Sequence, residues 1–72
     1  MGNVVDARGL SCPQPVLMTL EEITTVKRGR ITILVDTDTS KENVTRAIKT
    51  QGWEITEVQH EGTGYRIIIT KD

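Results

Sequence analysis

The chain has 72 residues, and a chain of this size buries only about 60% of its unfolded surface. The chain length therefore predicts one small domain over residues 1–72, without room for a large enclosed substrate pocket. Nine basic and ten acidic residues are interspersed and give a formal net charge of −1, which argues against nucleic-acid binding by the whole domain. No apolar run approaches the roughly 18 residues that span a membrane, and the N-terminus lacks the pattern of a signal peptide. We expect a soluble, cytoplasmic monomer.

The chain begins with a predicted strand and helix. Val4 and Val5 form a short apolar run, typical of a strand. Pro13 and Pro15 indicate the first turn of a helix, where proline is well tolerated. The apolar stripe of this helix has helical spacing and comprises Val16, Leu17, Leu20 and Ile23. Met18 falls on the opposite face, and Gly29 is predicted to follow the helix as its C′ residue.

A second strand and a second helix follow. Residues 31–35 are β-branched and almost entirely apolar, which favours a well-covered strand. The spacing of Thr39 and Glu42 matches a capping box and predicts the start of the second helix there. The narrow apolar stripe of that helix comprises Val44, Ala47, Ile48 and the stem of Gln51. Gly52 is expected to end the helix.

The last third of the chain predicts two strands, over residues 53–60 and 65–70, joined by a hairpin. Ile55 and Val58 are out of phase for strict alternation, which predicts a β-bulge near Glu57. The element order is β-α-β-α-β-β. This order predicts an α+β fold: a two-layer α/β sandwich in which two helices cover one face of a four-stranded mixed sheet.

Cys12 is the only cysteine of the chain and lies between a glycine turn and two prolines. This position places it at or just before the start of the first helix, where free backbone N–H groups and the helix dipole favour a thiolate. Arg8, four residues upstream, is a candidate for further thiolate support. A lone cysteine is often only a small core residue, but the flanking turn and prolines favour a reactive thiol. His60 is the only histidine, and no second cysteine is present, so no metal site is predicted. Nothing in the sequence brings His60 to Cys12, so a Cys/His nucleophile is not predicted either.

The segment Asp6-Ala7-Arg8-Gly9-Leu10-Ser11-Cys12-Pro13-Gln14-Pro15 resembles the signature of TusA/SirA-like sulfur-carrier proteins. Its core is Cys-Pro-x-Pro, preceded by Asp-x-x-Gly-Leu, and the chain length and element order are similar to the family as well. The resemblance implies that Cys12 carries sulfur as a persulfide. It also implies that Pro13 and Pro15 are the motif prolines and Gly9 the turn glycine.

The resemblance also implies the partners of such a protein. A donor of the cysteine desulfurase or rhodanese type would load the sulfur, and an acceptor protein would receive it for tRNA thiolation, sulfur oxidation, cofactor assembly or selenium-related metabolism. The chain would then be a sulfurtransferase-like carrier without a cofactor, not a free-standing enzyme. Thr37 follows Asp36 where tRNA-thiolation members have an Asp-Asp-Pro run. Residues 40–44, Ser-Lys-Glu-Asn-Val, are more similar to the N-terminal domain of YedF-like proteins.

Two other hypotheses stay open at the level of sequence. One is a thiol-dependent regulator or adaptor, in which Cys12 shapes a docking surface without carrying sulfur. The other is an RNA-binding module, against which the balanced charge argues. Met18 is a candidate docking contact because it lies off the predicted stripe. A basic patch for an acidic partner is a further candidate and would comprise Arg8, Lys27, Arg28 and Arg30.

Overall fold

The computed structural model describes residues 3–10, 14–62 and 64–71. Its elements, in chain order, are β1 (Asn3–Asp6), α1 (Gln14–Val26), β2 (Gly29–Val35), α2 (Asp38–Thr50), β3 (Glu54–Glu61) and β4 (Gly64–Lys71). This order confirms the predicted β-α-β-α-β-β arrangement.

The four strands form one mixed sheet in the order β1-β2-β4-β3. β1 pairs with β2 in parallel, as a strand–helix–strand crossover through α1 requires. β4 lies between β2 and β3 and is antiparallel to both. β1, β2 and β3 therefore run in the same direction, and only β4 runs against them.

The core lies between one face of the sheet and the two helices. In the central strands the buried side chains alternate with half-buried ones, so each strand presents one face to the core. The buried apolar residues are Val5, Ala7, Ile23, Ile31, Ile33, Val35, Val44, Ile48, Trp53, Ile67 and Ile69. These side chains form one cluster, which confirms a two-layer α+β sandwich built mainly from Val and Ile.

Helix α1 buries a different face from the one that the sequence predicts. Its buried residues are Pro15, Thr19 and Ile23, whereas Leu17 is 51% exposed. Thr19 can be buried because its hydroxyl donates to the carbonyl oxygen of Pro15 over 2.8 Å. The helix is consequently rotated, and Met18 packs against the core. The prediction that Met18 points away from the core is wrong.

The ends of both helices also differ from the prediction. Gly29 is not the C′ residue of α1 but the first residue of β2. Lys27 takes the left-handed conformation instead, with φ 70°, and its N–H donates to the carbonyl of Ile23 over 2.8 Å. The N-cap of α2 is Thr37, whose hydroxyl accepts from the Ser40 N–H over 3.0 Å. The predicted capping box at Thr39 is therefore wrong by two residues.

The buried row of α2 begins one turn nearer the start of the helix than predicted, and it ends before Gln51. Ser40, Val44 and Ile48 are buried, while Gln51 is the C-cap and is exposed. Gly52 follows the cap with φ 83°, as predicted for a helix end. Trp53 is 4% exposed, which confirms it as a core residue.

β3 is an edge strand with an irregularity in its pairing to β4. The register shifts between Ile55 and Glu57, which confirms the predicted bulge and leaves Thr56 as the extra residue. The strand carries three glutamates: Glu54, Glu57 and Glu61. Nearly all of its residues are exposed.

In the three described ranges, neither helix combines the length and the apolar character that crossing a bilayer requires.

Candidate functional site

The ends of β1, β2 and β3 define one edge of the sheet. Because these strands run in the same direction, their carboxyl ends, at Asp6, Val35 and Glu61, lie at this edge. The two helices follow β1 and β2, so both helices also begin there. Helix N-termini offer unpaired N–H groups and favour negative charge. The edge therefore favours negatively charged groups.

The segment of residues 6–10, which we call the motif turn, begins with an interaction between neighbouring side chains. The Asp6 carboxylate accepts from the Arg8 backbone N–H over 3.2 Å and from the guanidinium Nε and Nη2 over 2.9 Å each. Ala7 is fully buried, and its N–H donates to the Leu34 carbonyl over 2.8 Å. The start of the turn is thus held by β2 and by its own side chains.

Bonding to Arg8 lowers the pKa of the Asp6 carboxyl from 3.8 to about 2, mainly through the side-chain hydrogen bond and then through the backbone N–H. The lowered pKa means that the interaction is fully present above the unfolded value and is lost as the pH falls towards 2. We expect Arg8→Ala to raise the Asp6 pKa towards 3.8, measured by NMR titration of the side-chain carboxyl. Both side chains are solvent-exposed, so global stability should change little.

Arg66→Ala is the matched control for this titration. Arg66 pairs with Glu61 over 3.0 Å and has no described bond to Asp6. The Arg66→Ala variant should leave the titration of the Asp6 carboxyl unchanged. An Asp6 pKa that stays near 2 in Arg8→Ala would contradict the assigned cause.

The middle of the motif turn depends on Gly9. Its φ is +78°, a left-handed conformation that strongly favours glycine. Apart from its chain neighbours, no described residue lies within 4 Å of a Cβ at this position, so the backbone conformation explains the glycine. Its N–H donates to Asp36 Oδ2 over 2.7 Å. This short bond to a carboxylate connects the motif turn to the residue that follows β2.

The structure describes some, but not all, of the other residues that the sequence predicts for the site. Cys12 and Pro13 lie outside the described residues. Pro15 is the second residue of α1, and its side chain is fully buried, so it also contributes packing. The Arg8 guanidinium is engaged with Asp6, and its support of the thiolate stays a prediction. Leu10, at the end of the turn, is 37% exposed.

The β3–β4 hairpin lies at the same edge as the motif turn. Tyr65 donates its hydroxyl proton to the Asp38 carboxylate, and this bond raises the pKa of Tyr65. His60 stacks on the Tyr65 ring at 4.9 Å between centroids, and Lys41 Nζ lies 4.8 Å from the centre of the same ring. His60 is thus part of an aromatic cluster that connects the hairpin to the start of α2.

A shallow cavity of about 340 Å³ separates the motif turn from the hairpin. It is lined by Arg8, Leu34, Val35, Asp36, Glu61, Gly62, Gly64 and Tyr65. A larger groove of about 690 Å³ lies between α2 and β3 and shares no lining residue with the motif turn. The described residues therefore leave open space beside the turn.

The candidate basic patch is not formed as one surface. Arg30 lies near the start of β2, whereas Arg8 follows β1 at the end of the sheet where β2 finishes. The two side chains are at opposite ends of the sheet, and Arg8 is paired with Asp6. The fold therefore does not bring these two arginines together in one compact patch.

Asp36 is the contact that sequence reasoning missed. The chain separates it from Gly9 by 27 positions, and a lone aspartate after a strand is usually only a loop residue. The available signal was topological: residues that follow two neighbouring parallel strands lie at the same edge. That rule places Asp36 near the motif turn but does not specify the hydrogen bond.

By its fold, the protein is a small two-layer α+β protein in which a turn after β1 precedes the first helix. A family model described as sulfurtransferase TusA matches residues 3–71. The chain therefore belongs to the TusA family.

Individual relatives agree with this assignment. A putative sulfur carrier protein of Archaeoglobus fulgidus is 32% identical over 69 residues, which cover 94% of each chain. An uncharacterized protein of Methanocaldococcus jannaschii is 31% identical over 96% of this chain, but the match covers 26% of that protein. The crystal structure of a SirA-like protein from Desulfitobacterium hafniense superposes with a TM-score of 0.85 at 26% identity, covering 97% and 96% of the two chains.

Proposed function

We propose that this protein is a sulfur carrier that holds sulfur as a persulfide on Cys12 and relays it between two proteins. The observation that carries the proposal is the match to the TusA family over residues 3–71, with the only cysteine inside the family's motif. The name of the Archaeoglobus relative supports the same role. A reducing, cytosolic compartment is part of the proposal, because an unpaired thiol persists there.

The geometry of the motif turn supports this chemistry. Residues 6–9 are held by β2, by Asp6 and by Asp36, and α1 begins at Gln14. Three residues, among them Cys12, separate the motif turn from the first residue of α1 in the sequence. Free N–H groups at a helix start stabilise a thiolate, which is the reactive form of cysteine.

The transfer is a balanced exchange at sulfur. The Cys12 thiolate attacks the terminal sulfur of a donor's cysteine persulfide, a new S–S bond forms, and the donor's S–S bond breaks. The donor cysteine leaves as a thiolate and takes up a proton. The acceptor then repeats the exchange on the Cys12 persulfide, so the carrier returns to its thiol form. No external oxidant or reductant is consumed, and no cofactor is needed.

Partner docking is proposed around the motif turn. A donor of the desulfurase or rhodanese type and an acceptor protein both have to reach Cys12. Leu10 and Leu17, on either side of the motif in sequence, are 37% and 51% exposed. Leu17 therefore replaces Met18 as the main apolar docking candidate of α1, since Met18 is half-buried against the core.

Sulfur loading tests the proposal directly. Incubation with a cysteine desulfurase and cysteine should add about 32 Da, one sulfur atom, to the intact chain, and a reductant should remove it. Cys12→Ser should gain nothing, because it removes the only cysteine. Mass spectrometry of the intact protein provides the measurement. If several desulfurases and rhodaneses leave the wild-type mass unchanged, the carrier role is wrong and a thiol-dependent adaptor becomes the better reading.

A further inference from the structure

We propose that Asp36 is a positioning residue for sulfur transfer: through the Gly9 amide it fixes the turn that presents Cys12. The inference rests on the proposed carrier function and assigns a role to a residue outside the Cys-Pro-x-Pro motif. Asp36 is not proposed to contact the sulfur. Its effect is on where the thiol is held.

The contact itself is short and charge-assisted. The Gly9 N–H donates to Asp36 Oδ2 over 2.7 Å, in the range typical of bonds to ionised acceptors, which are about twice as strong as neutral ones. Gly9 is three residues before Cys12 in the chain. A shift of the Gly9 peptide is therefore passed on to the thiol through only a few backbone bonds.

Among the described residues, packing holds only the start of the turn, through the buried Ala7. Apart from the chain neighbours of Gly9, no described residue places an atom within 4 Å of a Cβ built there, and both Arg8 and Leu10 are exposed. The bonds of Asp6 and Arg8 lie within the turn itself. Among the described contacts beyond Ala7, the bond to Asp36 connects the turn to the β2–α2 connection.

Asp36 is in turn held from both sides. Val35, immediately before it, is fully buried and pairs with Tyr65 of β4. Thr37, immediately after it, caps α2 through its hydroxyl, and its carbonyl accepts from the Lys41 N–H over 3.0 Å. The carboxylate therefore extends from a well-fixed backbone. It can act as an anchor for the motif turn.

Two variants at this position separate the hydrogen bond from the charge. Asp36→Asn and Asp36→Ala both remove the negative charge, but only asparagine keeps an acceptor oxygen at the same place. We expect Asp36→Ala to slow sulfur transfer from a desulfurase about 10- to 100-fold, the scale of a small misplacement of a reacting group. Asp36→Asn should stay within about threefold of wild type, because a neutral acceptor retains roughly half of the bond strength.

The Gly9 amide provides a readout that does not depend on sulfur. Its proton resonance in a ¹H–¹⁵N NMR spectrum should move upfield in Asp36→Ala and remain closer to wild type in Asp36→Asn. The alkylation rate of Cys12 by iodoacetamide at fixed pH should follow the same order. If the wild type accepts no sulfur while these two readouts still separate the variants, the carrier function fails but the positioning role stands.

Asp38→Ala is the matched control. It removes a carboxylate two positions away, which bonds Tyr65 and not Gly9. It should lower stability without the loss of transfer or the movement of the Gly9 resonance. The positioning role is overturned if Asp36→Ala and Asp36→Asn behave alike in transfer and in the Gly9 resonance. Equal losses of transfer in Asp38→Ala and Asp36→Ala would overturn it as well.

Discussion

Replacing Gly64 by alanine is expected to destabilise the fold by about 3 kcal/mol or more, the upper range for overpacking a site that cannot relax. A Cβ at this position would overlap the carbonyl oxygen of Val35 and lie 3.0 Å from the Asp36 Cα. Both are backbone atoms, at the end of β2 and just after it, and cannot move aside as a flexible side chain would. Urea denaturation followed by circular dichroism measures the loss.

Gly62→Ala is the control within the same hairpin. Gly62 has a positive φ of 62° but open space around its Cβ position, so only backbone strain of about 1–2 kcal/mol is expected. Gly64→Ala should also disturb the Gly9 amide, because the clash is directed at Val35 and Asp36. Equal stabilities of the two variants would contradict the close approach of β4 to the end of β2.

The second large effect is expected at Ile33. This residue is fully buried in β2, with Val5 on one side and Ile67 on the other in the sheet register. Truncation to alanine removes buried methyl groups and leaves a cavity, at a cost of about 2–5 kcal/mol. Domains of 72 residues have a total stability of only about 4–11 kcal/mol. Ile33→Ala should therefore lose a large share of the total stability, with a clearly lower denaturation midpoint in urea.

Val4→Ala tests whether this cost comes from burial. Val4 is in the neighbouring strand β1 but is 64% exposed. The free energy of unfolding of Val4→Ala should therefore stay within about 0.5 kcal/mol of wild type. Denaturation midpoints in urea compare the two variants on the same scale. Similar losses for Val4→Ala and Ile33→Ala would show that the core is not centred on β2.

The order of elements was predictable because its signals are local. A β-branched run, two prolines and well-placed glycines separate the elements, and each signal acts over a few residues. The orientation of α1 was not predictable in the same way. Val16, Leu17 and Met18 are consecutive apolar residues and allow more than one buried face. The choice depends on Thr19, whose burial becomes acceptable only once its hydroxyl bonds Pro15.

The residue that caps α2 could not be predicted from the sequence, for a different reason. Residues 37–40 read Thr-Asp-Thr-Ser, and all four types can cap a helix. Which of them does so is decided by how soon the chain leaves β2. In the candidate site, Gly9 could be identified from the sequence motif. Its bond to Asp36 could not, because that bond depends on the parallel pairing of β1 and β2.

The bulge and the glutamates of β3 have a consequence for crowded conditions. The outer strands of an open sheet expose unpaired backbone groups that can recruit strands from other molecules and begin aggregation. Within the described residues, one outer strand covers four residues, and the other is interrupted at Thr56 and carries three glutamates. Both features discourage strands of other molecules from pairing with this sheet. The bulge and the charges therefore act against edge-to-edge association of the protein in concentrated solution.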